Sequence, residues 1–496
     1  MVNQLYYGDN LEVLRRYIKD ESVDLCYIDP PFNSKRNYNQ IYNNIGSEDK
    51  AQAQAFIDTW EWDDHAIRGI DEIITNYHGL FTQQCIALIT GLSNVLGKGS
   101  LLAYLVSMTL RITEIHRVLK PTGSFYLHCD PTSSHYLKLI LDAVFCSQGG
   151  DFLNELIWCY RGGGSPKKDF GRRHDVIFRY SKTKDYIFNA DKIRMPYQAE
   201  GIGRTDDAMW GKHKGTNKVY KPHPLGKIPE DWWLINILNA NDPERLGYPT
   251  QKPESLLERI IKASSNKNDV ILDAYCGCGT TVAVCQKLDR QWIGIDITYQ
   301  SISLILKRLE DSFGKGVLDI ITLHGIPKDI ESAIALANKA DDRTRKEFEK
   351  WAILTYTNNR AIINTKKGAD KGVDGTVLFY GDKGEAEKVI FQVKSGKVKS
   401  GDIRDLLGTM TLENASIAIF ITLENPTKDM LKTAKSAGFY QNKLMTHSCD
   451  KIQIITVQDI IENKQKFMMT LAFEVLKSAE KHKEIRVNQI EMDLDI

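Results

Sequence analysis

Long apolar runs are what this 496-residue chain most conspicuously lacks. No stretch approaches the ~18 apolar residues of a membrane span, and the longest candidate, 101–110, is interrupted by Ser107 and Thr109. The start, Met1-Val2-Asn3-Gln4-Leu5-Tyr6-Tyr7-Gly8-Asp9, has no basic segment leading into an apolar one. A secretory signal is therefore not expected, and the chain reads as cytoplasmic with no membrane partner. Charge of one sign is missing too. With 65 Lys+Arg against 64 Asp+Glu the net charge is +1, so any affinity for nucleic acid must reside in local clusters. Cysteine is sparse, odd in number at nine, and scattered, which argues for reduced thiols rather than a disulfide framework. Cys276-x-Cys278 has no second pair at metal spacing, which argues against a closed four-ligand zinc site. Repeats, heptads and low-complexity tails are absent as well.

What is present is alternation. The length suggests two or three domains. Up to about Ser312, strand-like runs alternate with amphipathic helical stretches: strands at Val23–Ile28, Ser124–His128, Leu156–Tyr160, Val176–Tyr180, Val270–Ala274 and Trp292–Ile297, and helices at Thr109–Leu119, His135–Phe145, Pro253–Ser264 and Thr280–Leu288. Lys120-Pro121-Thr122-Gly123 is read as the turn that ends the Thr109–Leu119 helix. This spacing predicts an α/β fold with a mostly parallel sheet covered on both faces. Two stretches break it. Residues 33–76 follow irregularly after Asp29-Pro30-Pro31-Phe32, with Trp60 and Trp62 read as packing residues. Residues 185–245, rich in Lys, Gly, Pro and Asn, read as an insertion of the kind that carries recognition on a rigid scaffold. The expected organisation is a first domain over 1–325, a connector over 326–346 and a second domain over 347–496 with strands near Thr376–Tyr380, Lys388–Val393, Ala415–Thr422 and Ile452–Thr456.

Two strand ends carry chemistry. Val270-Ile271-Leu272-Asp273 runs through Ala274-Tyr275-Cys276-Gly277-Cys278-Gly279 into the helix beginning at Thr280. The glycines let backbone approach a ligand, and the helix N-terminus favours electron-rich groups. Asp296 closes the next strand, 17 residues beyond Gly279, where a carboxylate can accept from ribose hydroxyls. Val282 stands where a dinucleotide site would want a third glycine, so S-adenosylmethionine, which has no pyrophosphate, fits better than NAD. The other strand end is Asp29-Pro30-Pro31-Phe32. An exocyclic aromatic amine is a poor nucleophile, because its lone pair is delocalised; acceptors for its N–H bonds help the nitrogen rehybridise. The Asp29 carboxylate and Pro30 carbonyl are such acceptors, the two prolines stiffen the turn and remove N–H groups, and Phe32 offers a face for a base drawn out of the duplex. A plain strand-ending turn would look the same in isolation.

Between them, eight basic residues from Arg161 to Lys184 face two acids, Asp169 and Asp175. Lys167, Lys168, Arg172 and Arg173, beside Gly162-Gly163-Gly164-Ser165-Pro166, are the candidate phosphate contacts; the alternative is a solvated basic loop. In the second domain, Asp374 precedes a strand, and Gln392 and Lys394 share one face of another by period-two spacing. Asp374 and Gln392 are candidate ligands for a divalent ion that activates water against a phosphodiester.

These features resemble the amino-methylating DNA methyltransferases, specifically the permuted beta group, in which the catalytic motif precedes the cofactor loop and a recognition region lies between them. The resemblance covers about Tyr6 to Leu309. It includes Asp29–Phe32, Gly123-Ser124-Phe125-Tyr126-Leu127-His128-Cys129-Asp130, and Tyr248-Pro249-Thr250-Gln251-Lys252-Pro253 ahead of Asp273–Thr281. It implies a Rossmann-like S-adenosylmethionine-dependent sheet acting on double-stranded DNA, with adenine N6 favoured by Asp29 and cytosine N4 as the alternative. Lys252, Asp273, Tyr275, Cys276, Gly277, Gly279, Thr280 and Asp296 are the implied cofactor residues. Ala274 and Tyr275 depart from the Pro-Phe common in relatives. Residues 347–496 resemble the Mrr-type restriction endonuclease domain of the PD-(D/E)xK superfamily, which implies a Mg²⁺-dependent α/β nuclease with Asp374, Gln392 and Lys394 as catalytic residues. Glu347 or Glu349 is a candidate extra acid. The neutral Gln392 is a weaker ligand than a carboxylate, and an inactive DNA- or partner-binding module is the alternative. A homodimer and a separate restriction subunit are further partners compatible with the resemblance.

Overall fold

In the computed structural model the described residues are 3–31, 36–42, 51–58, 60, 62–161, 167–197, 223–239, 241–248, 250–327, 329–338, 342–357, 361–364, 372–380, 386–441 and 448–467. Phe32, residues 162–166 and residues 198–222 of the candidate recognition insertion lie outside them.

Strand β1 (Asn3–Tyr7) passes through Gly8 into helix α1 (Asn10–Tyr17), whose first turn is capped by Asp9 accepting from the Leu11 and Glu12 backbone N–H groups. Strand β2 (Val23–Ile28) is buried at every position, as expected of a strand covered on both faces. Its one charge, Asp24, accepts from Lys120 Nζ at 2.8 Å and from the Val270 N–H at 2.9 Å, so the buried carboxylate is fully paired. An antiparallel hairpin, β3 (Arg36–Tyr42) and β4 (Ala51–Asp58), follows, then helices α2 (Asp64–Thr75), α3 (Gln83–Leu96) and α4 (Ser100–Val118). Next come β5 (Leu119–Cys129), α5 (Ser134–Val144), β6 (Asp151–Cys159), β7 (His174–Ser181), the short β8 (Trp232–Leu234), α6 (Glu254–Ser264), β9 (Val270–Asp273), α7 (Thr280–Lys287), β10 (Gln291–Asp296), α8 (Tyr299–Phe313) and β11 (Ile321–His324).

Nine of these strands form one sheet in the order β11-β1-β10-β9-β2-β5-β7-β6-β8, parallel except for β7. One face is covered by α1, α4 and α5, with Leu105, Ile112, Leu137 and Phe145 buried against Cys26, Ile28, Phe125 and Phe178. The other is covered by α6, α7 and α8, with Leu257, Ile260, Val284 and Ile302 against Leu25, Tyr27 and Ile271. This is the doubly covered α/β sheet expected from the alternation.

Helix α9 (Ile330–Ala337) leads to α10 (Asp342–Thr357) and a second unit: β12 (Ile362–Ile363), β13 (Gly375–Tyr380), β14 (Ala386–Lys394), α11 (Ser400–Leu412), β15 (Ile417–Thr422), α12 (Lys428–Ser436), the pair β16 (Phe439–Tyr440) and β17 (Cys449–Asp450), β18 (Ile452–Thr456) and α13 (Val457–Ile461). Its five-stranded sheet runs β12-β13-β14-β15-β18, antiparallel at β13 and parallel from β14 onward. The apolar cluster under α8 continues without interruption through Leu336, Phe348 and Trp351 to Phe391, so the two units share a core.

Three local expectations differ from the structure. Lys120–Gly123, read as a helix-ending turn, lies inside β5: Val23 pairs with Leu119 and Leu25 with Ser124, and the extra residues are taken up as an irregularity in the ladder. The irregular stretch 33–76 contains β3, β4 and α2. The connector 326–346 carries α9, started by a capping box between Asp329 and Ser332, with Ala333, Leu336 and Ala337 buried.

Candidate active site

Strand β9 has β10 on one side and β2 on the other, and the chain proceeds outward from this pair in opposite directions. In open α/β sheets such a reversal opens a crevice beyond the carboxyl ends of the strands. Asp273 ends β9, Asp296 ends β10, and Asp29 follows the last residue of β2. Residues 29, 273 and 296 therefore meet at one edge, and the Asp273 carboxylate, raised mainly by burial, is raised further by the charges of both others.

The loop after β9 needs its glycines. Gly277 and Gly279 have φ of +50° and +76°, and a Cβ on Gly279 would stand 2.7 Å from Ile305 Cγ1. The Gly277 N–H donates to Asp296 Oδ2 at 2.9 Å, while Asp296 Oδ1 accepts from the Thr298 backbone N–H at 2.9 Å and its hydroxyl at 3.0 Å. Burial pushes Asp296 up to about 6 despite these donors. Burial likewise pushes Asp273 up to about 7, against the Thr281 hydroxyl and the Tyr275 N–H that favour its charged form. Asp273 is buried whereas Asp296 is half-buried, so solvent moderates the shift at Asp296 more than at Asp273. The buried Tyr248 ring lies against Gly277.

Among the side chains expected near a cofactor, several face the protein interior. The Tyr275 hydroxyl donates to Met108 Sδ on α4 at 3.7 Å. Cys276 is buried in the core, and Thr280 Oγ1 accepts from Arg308 Nη1 at 3.0 Å, beside the Arg308–Glu254 ion pair. These positions can serve a ligand through backbone rather than side chain. No group of three or more His, Cys, Asp or Glu that could hold a metal occurs among the described residues.

Asp29 is ion-paired with Lys252; their side chains are 17% and 11% exposed. Pro30 is buried and Pro31 half-buried. Lys252 is presented by a segment pinned through Gln251, which accepts from the Leu246 N–H at 2.8 Å and donates to the Glu244 carbonyl at 2.7 Å. Behind Asp29, the Tyr27 hydroxyl and His128 Nδ1 are 2.9 Å apart, His128 Nε2 is 3.1 Å from Asp175 Oδ2, and the Tyr160 hydroxyl donates to Asp175 Oδ1 at 3.4 Å. Burial opposes ionisation of Asp175, yet His128, with help from the Lys252 charge, holds its carboxyl below the usual range. A second polar group also lines this edge: Arg111 donates to Asn10 Oδ1 at 2.6 Å and to Asp9 Oδ2 at 2.9 Å, and Asn10 donates to the Ala274 carbonyl at 2.8 Å. Neither the Lys252–Asp29 pair nor the Arg111–Asn10 bridge was foreseen. Their partners lie a hundred or more residues apart, so no local pattern announces them.

Strand β6 is parallel to β2 through β5 and β7, so the loop from β6 to β7 rises from the same edge as Asp29. Lys167, Lys168 and Arg172 on it are exposed and Arg173 is half-buried. Two other members of the basic cluster are structural. Arg179 is buried beside the rings of Tyr126, Tyr186 and Phe188, and Lys182 donates to the Leu119 carbonyl at 2.6 Å.

In the second unit, Asp374 N donates to the Phe391 carbonyl and Asp374 Oδ2 accepts from the Val393 N–H at 2.7 Å, which seats it beside Gln392. Gln392 is 9% exposed, and its Oε1 has no hydrogen-bond partner among the described residues. Lys394 is exposed at the end of the same strand, opposite Thr422. A buried, unpaired carboxamide oxygen next to a carboxylate fits a hard cation. Glu347 is differently placed: it accepts from the Tyr7 hydroxyl at 3.1 Å and the Tyr299 N–H at 3.3 Å, both in the first unit, and is ion-paired with Lys350.

The sheet and crevice define an α/β protein with a nucleotide-type site beside an acceptor-rich turn. The chain belongs to the DNA methylase family, whose model matches residues 23–307. Residues 341–462 match a restriction endonuclease family model. Among curated relatives, the type II methyltransferase M.BglII of Bacillus subtilis is 33% identical over 40% of this chain and 57% of its own length. The type II methyltransferase M.HpaI of Haemophilus parainfluenzae is 32% identical over 41% of this chain and 58% of its own. The DNA adenine methyltransferase YhdJ of Escherichia coli (strain K12) is 28% identical over 62% of this chain and 82% of its own. The chain thus spans a little over half the length of the first two.

Proposed function

We propose that the chain transfers a methyl group from S-adenosylmethionine to adenine N6 in double-stranded DNA. The observation that carries this reading is the position of Asp29 on the strand next to the Asp273–Gly279 loop, at the reversal of the sheet. Bound S-adenosylmethionine supplies a methyl group on a cationic sulfonium. Asp273 and Asp296, as they ionise, give the crevice a negative character suited to that cation. The fixed Asp296 carboxylate accepts from ribose hydroxyls, and the Gly277–Gly279 backbone leaves room for the nucleoside. Asp29 and the Pro30 carbonyl accept the N–H bonds of the target amine, and Phe32 supplies the stacking face. When the amine nitrogen takes up that methyl group, its surplus proton would pass to Asp29 or to water. The Tyr27–His128–Asp175 chain holds the floor beneath Asp29 in register. Lys167, Lys168, Arg172 and Arg173 contact phosphates.

For the second unit we propose a Mg²⁺-dependent nuclease site at Asp374 and Gln392 with Lys394 polarising the phosphodiester. The reading of an inactive DNA- or partner-binding module is favoured by the short donor set, one carboxylate and one carboxamide. No helix among the described residues is long and apolar enough to cross a membrane, and the proposed setting is the DNA-containing cytoplasm. The test is to incubate the full chain with duplex DNA and labelled cofactor, then hydrolyse the DNA and separate its nucleosides. Label in N6-methyl-2′-deoxyadenosine supports the reading; label in N4-methyl-2′-deoxycytidine would move the target base, and label in protein or RNA only would refute it.

A further inference from the structure

Phe170 is the most exposed large apolar side chain among the described residues, at 98%. A single exposed apolar residue ordinarily needs no explanation, but the setting of this one is specific. Its neighbours Lys167, Lys168 and Arg172 are exposed cations, and the Arg173 guanidinium lies back over Gly171. The base of the loop is clamped: the Tyr160 N–H donates to the Arg173 carbonyl at 3.0 Å, and the Tyr160 hydroxyl donates to Asp175. Asp175 in turn joins His128 and Tyr27, two residues ahead of Asp29. Phe170 is five residues from Asp175, so even a fully extended chain keeps it within about 17 Å of that anchor. The loop rises from the sheet edge that carries Asp29.

A base that reaches Asp29 must leave the duplex, and the vacated stack collapses or refills unless an apolar group enters it. Resting on the methylase reading, we propose that Phe170 is a wedge that enters the base stack beside the target adenine and occupies the space the extruded base leaves. Lys167, Lys168 and Arg172 hold the flanking phosphates while it does so. The flat ring makes no sequence-specific contact, so it serves extrusion rather than recognition. This assigns the loop a division of labour: charge for docking and one ring for opening the stack.

The test uses the full chain and a duplex carrying its own methylated site, with 2-aminopurine at the target position and S-adenosylhomocysteine present. Wild type should raise the emission of the extruded base, Phe170→Ala should lose most of that rise, and Phe170→Trp should keep it. On the paired adenine substrate, kcat/KM of Phe170→Ala should fall roughly tenfold or more, the scale of one lost aromatic–base stack. The loss should shrink to about twofold when the target adenine is mispaired, because unpairing then costs little. DNA affinity at low salt should stay within about twofold, since phosphate contacts dominate it. Unchanged emission and turnover in Phe170→Ala would overturn the wedge, and so would an equal loss on paired and mispaired targets. A wild-type chain that methylates no DNA would overturn the underlying methylase reading instead.

Discussion

The crevice at the β9–β2 reversal and the Asp374–Gln392 site of the second unit differ in how completely protein satisfies their polar groups. In the first, Asp296 accepts from Gly277, Thr298 and Ser301, Asp273 from Tyr275 and Thr281, and Asp29 is paired with a lysine. In the second, Asp374 has a backbone donor, and Gln392 Oε1 is buried with no partner among the described residues. A pre-satisfied site holds its geometry before any ligand arrives, as positioning chemistry requires. An unsatisfied buried oxygen is costly by about 1–3 kcal/mol, and an arriving cation would recover that cost.

The comparison breaks most sharply at Gly279. Gly279→Ala places a Cβ into Ile305 at a left-handed φ, so the pre-formed loop must shift. Strain of about 1–3 kcal/mol predicts a loss of cofactor affinity of roughly tenfold to a hundredfold, read by calorimetry, while Mg²⁺ binding in the second unit is untouched. The second site is probed by Gln392→Met. Removing the orphaned oxygen should raise the melting temperature of the metal-free protein and abolish the stabilisation that Mg²⁺ gives wild type. A variant that melts lower in the absence of metal contradicts the account of Gln392.

The smallest effect is a pH dependence. Asp273, at about 7, and Asp296, at about 6, are raised above their ordinary 3.8. The folded chain therefore binds more protons than the unfolded chain across that window. The stability contributed by these groups is fully present below about pH 4 and is lost as pH rises through 6–7. Melting temperature of the cofactor-free protein should fall between pH 5.5 and 8, and Asp273→Asn should flatten the slope. Affinity for a cationic cofactor should move the opposite way, tightening as these acids ionise.

The same contrast explains what the sequence shows. Strands β2, β9 and β10 are legible because strands buried on both faces read as largely apolar runs, and Asp29, Asp273 and Asp296 are legible because each ends one. Helix α9 reads as a connector because the elements it packs against, α10 and α13, both come later in the chain. Hairpin β3–β4, with Asn-Tyr-Asn-Gln and Ala-Gln-Ala-Gln, has few large apolar residues in its sequence to signal it. The Lys252–Asp29 pair joins residues 223 positions apart, and no local pattern encodes such a contact. Glu347 shows the converse: the resemblance offered it or Glu349 as an extra acid for the nuclease site, whereas the fold turns Glu347 toward Tyr7 and Tyr299.

Asp29 tests the central claim most directly. Methyl transfer to duplex DNA and cofactor binding are to be measured on the same preparation of Asp29→Ala. The account predicts transfer reduced by about a hundredfold to ten-thousandfold, the range for removing a positioned proton acceptor, with cofactor affinity within a few-fold of wild type. Transfer at the wild-type rate would contradict the assignment of the Asp29-Pro30 turn as the methylating centre.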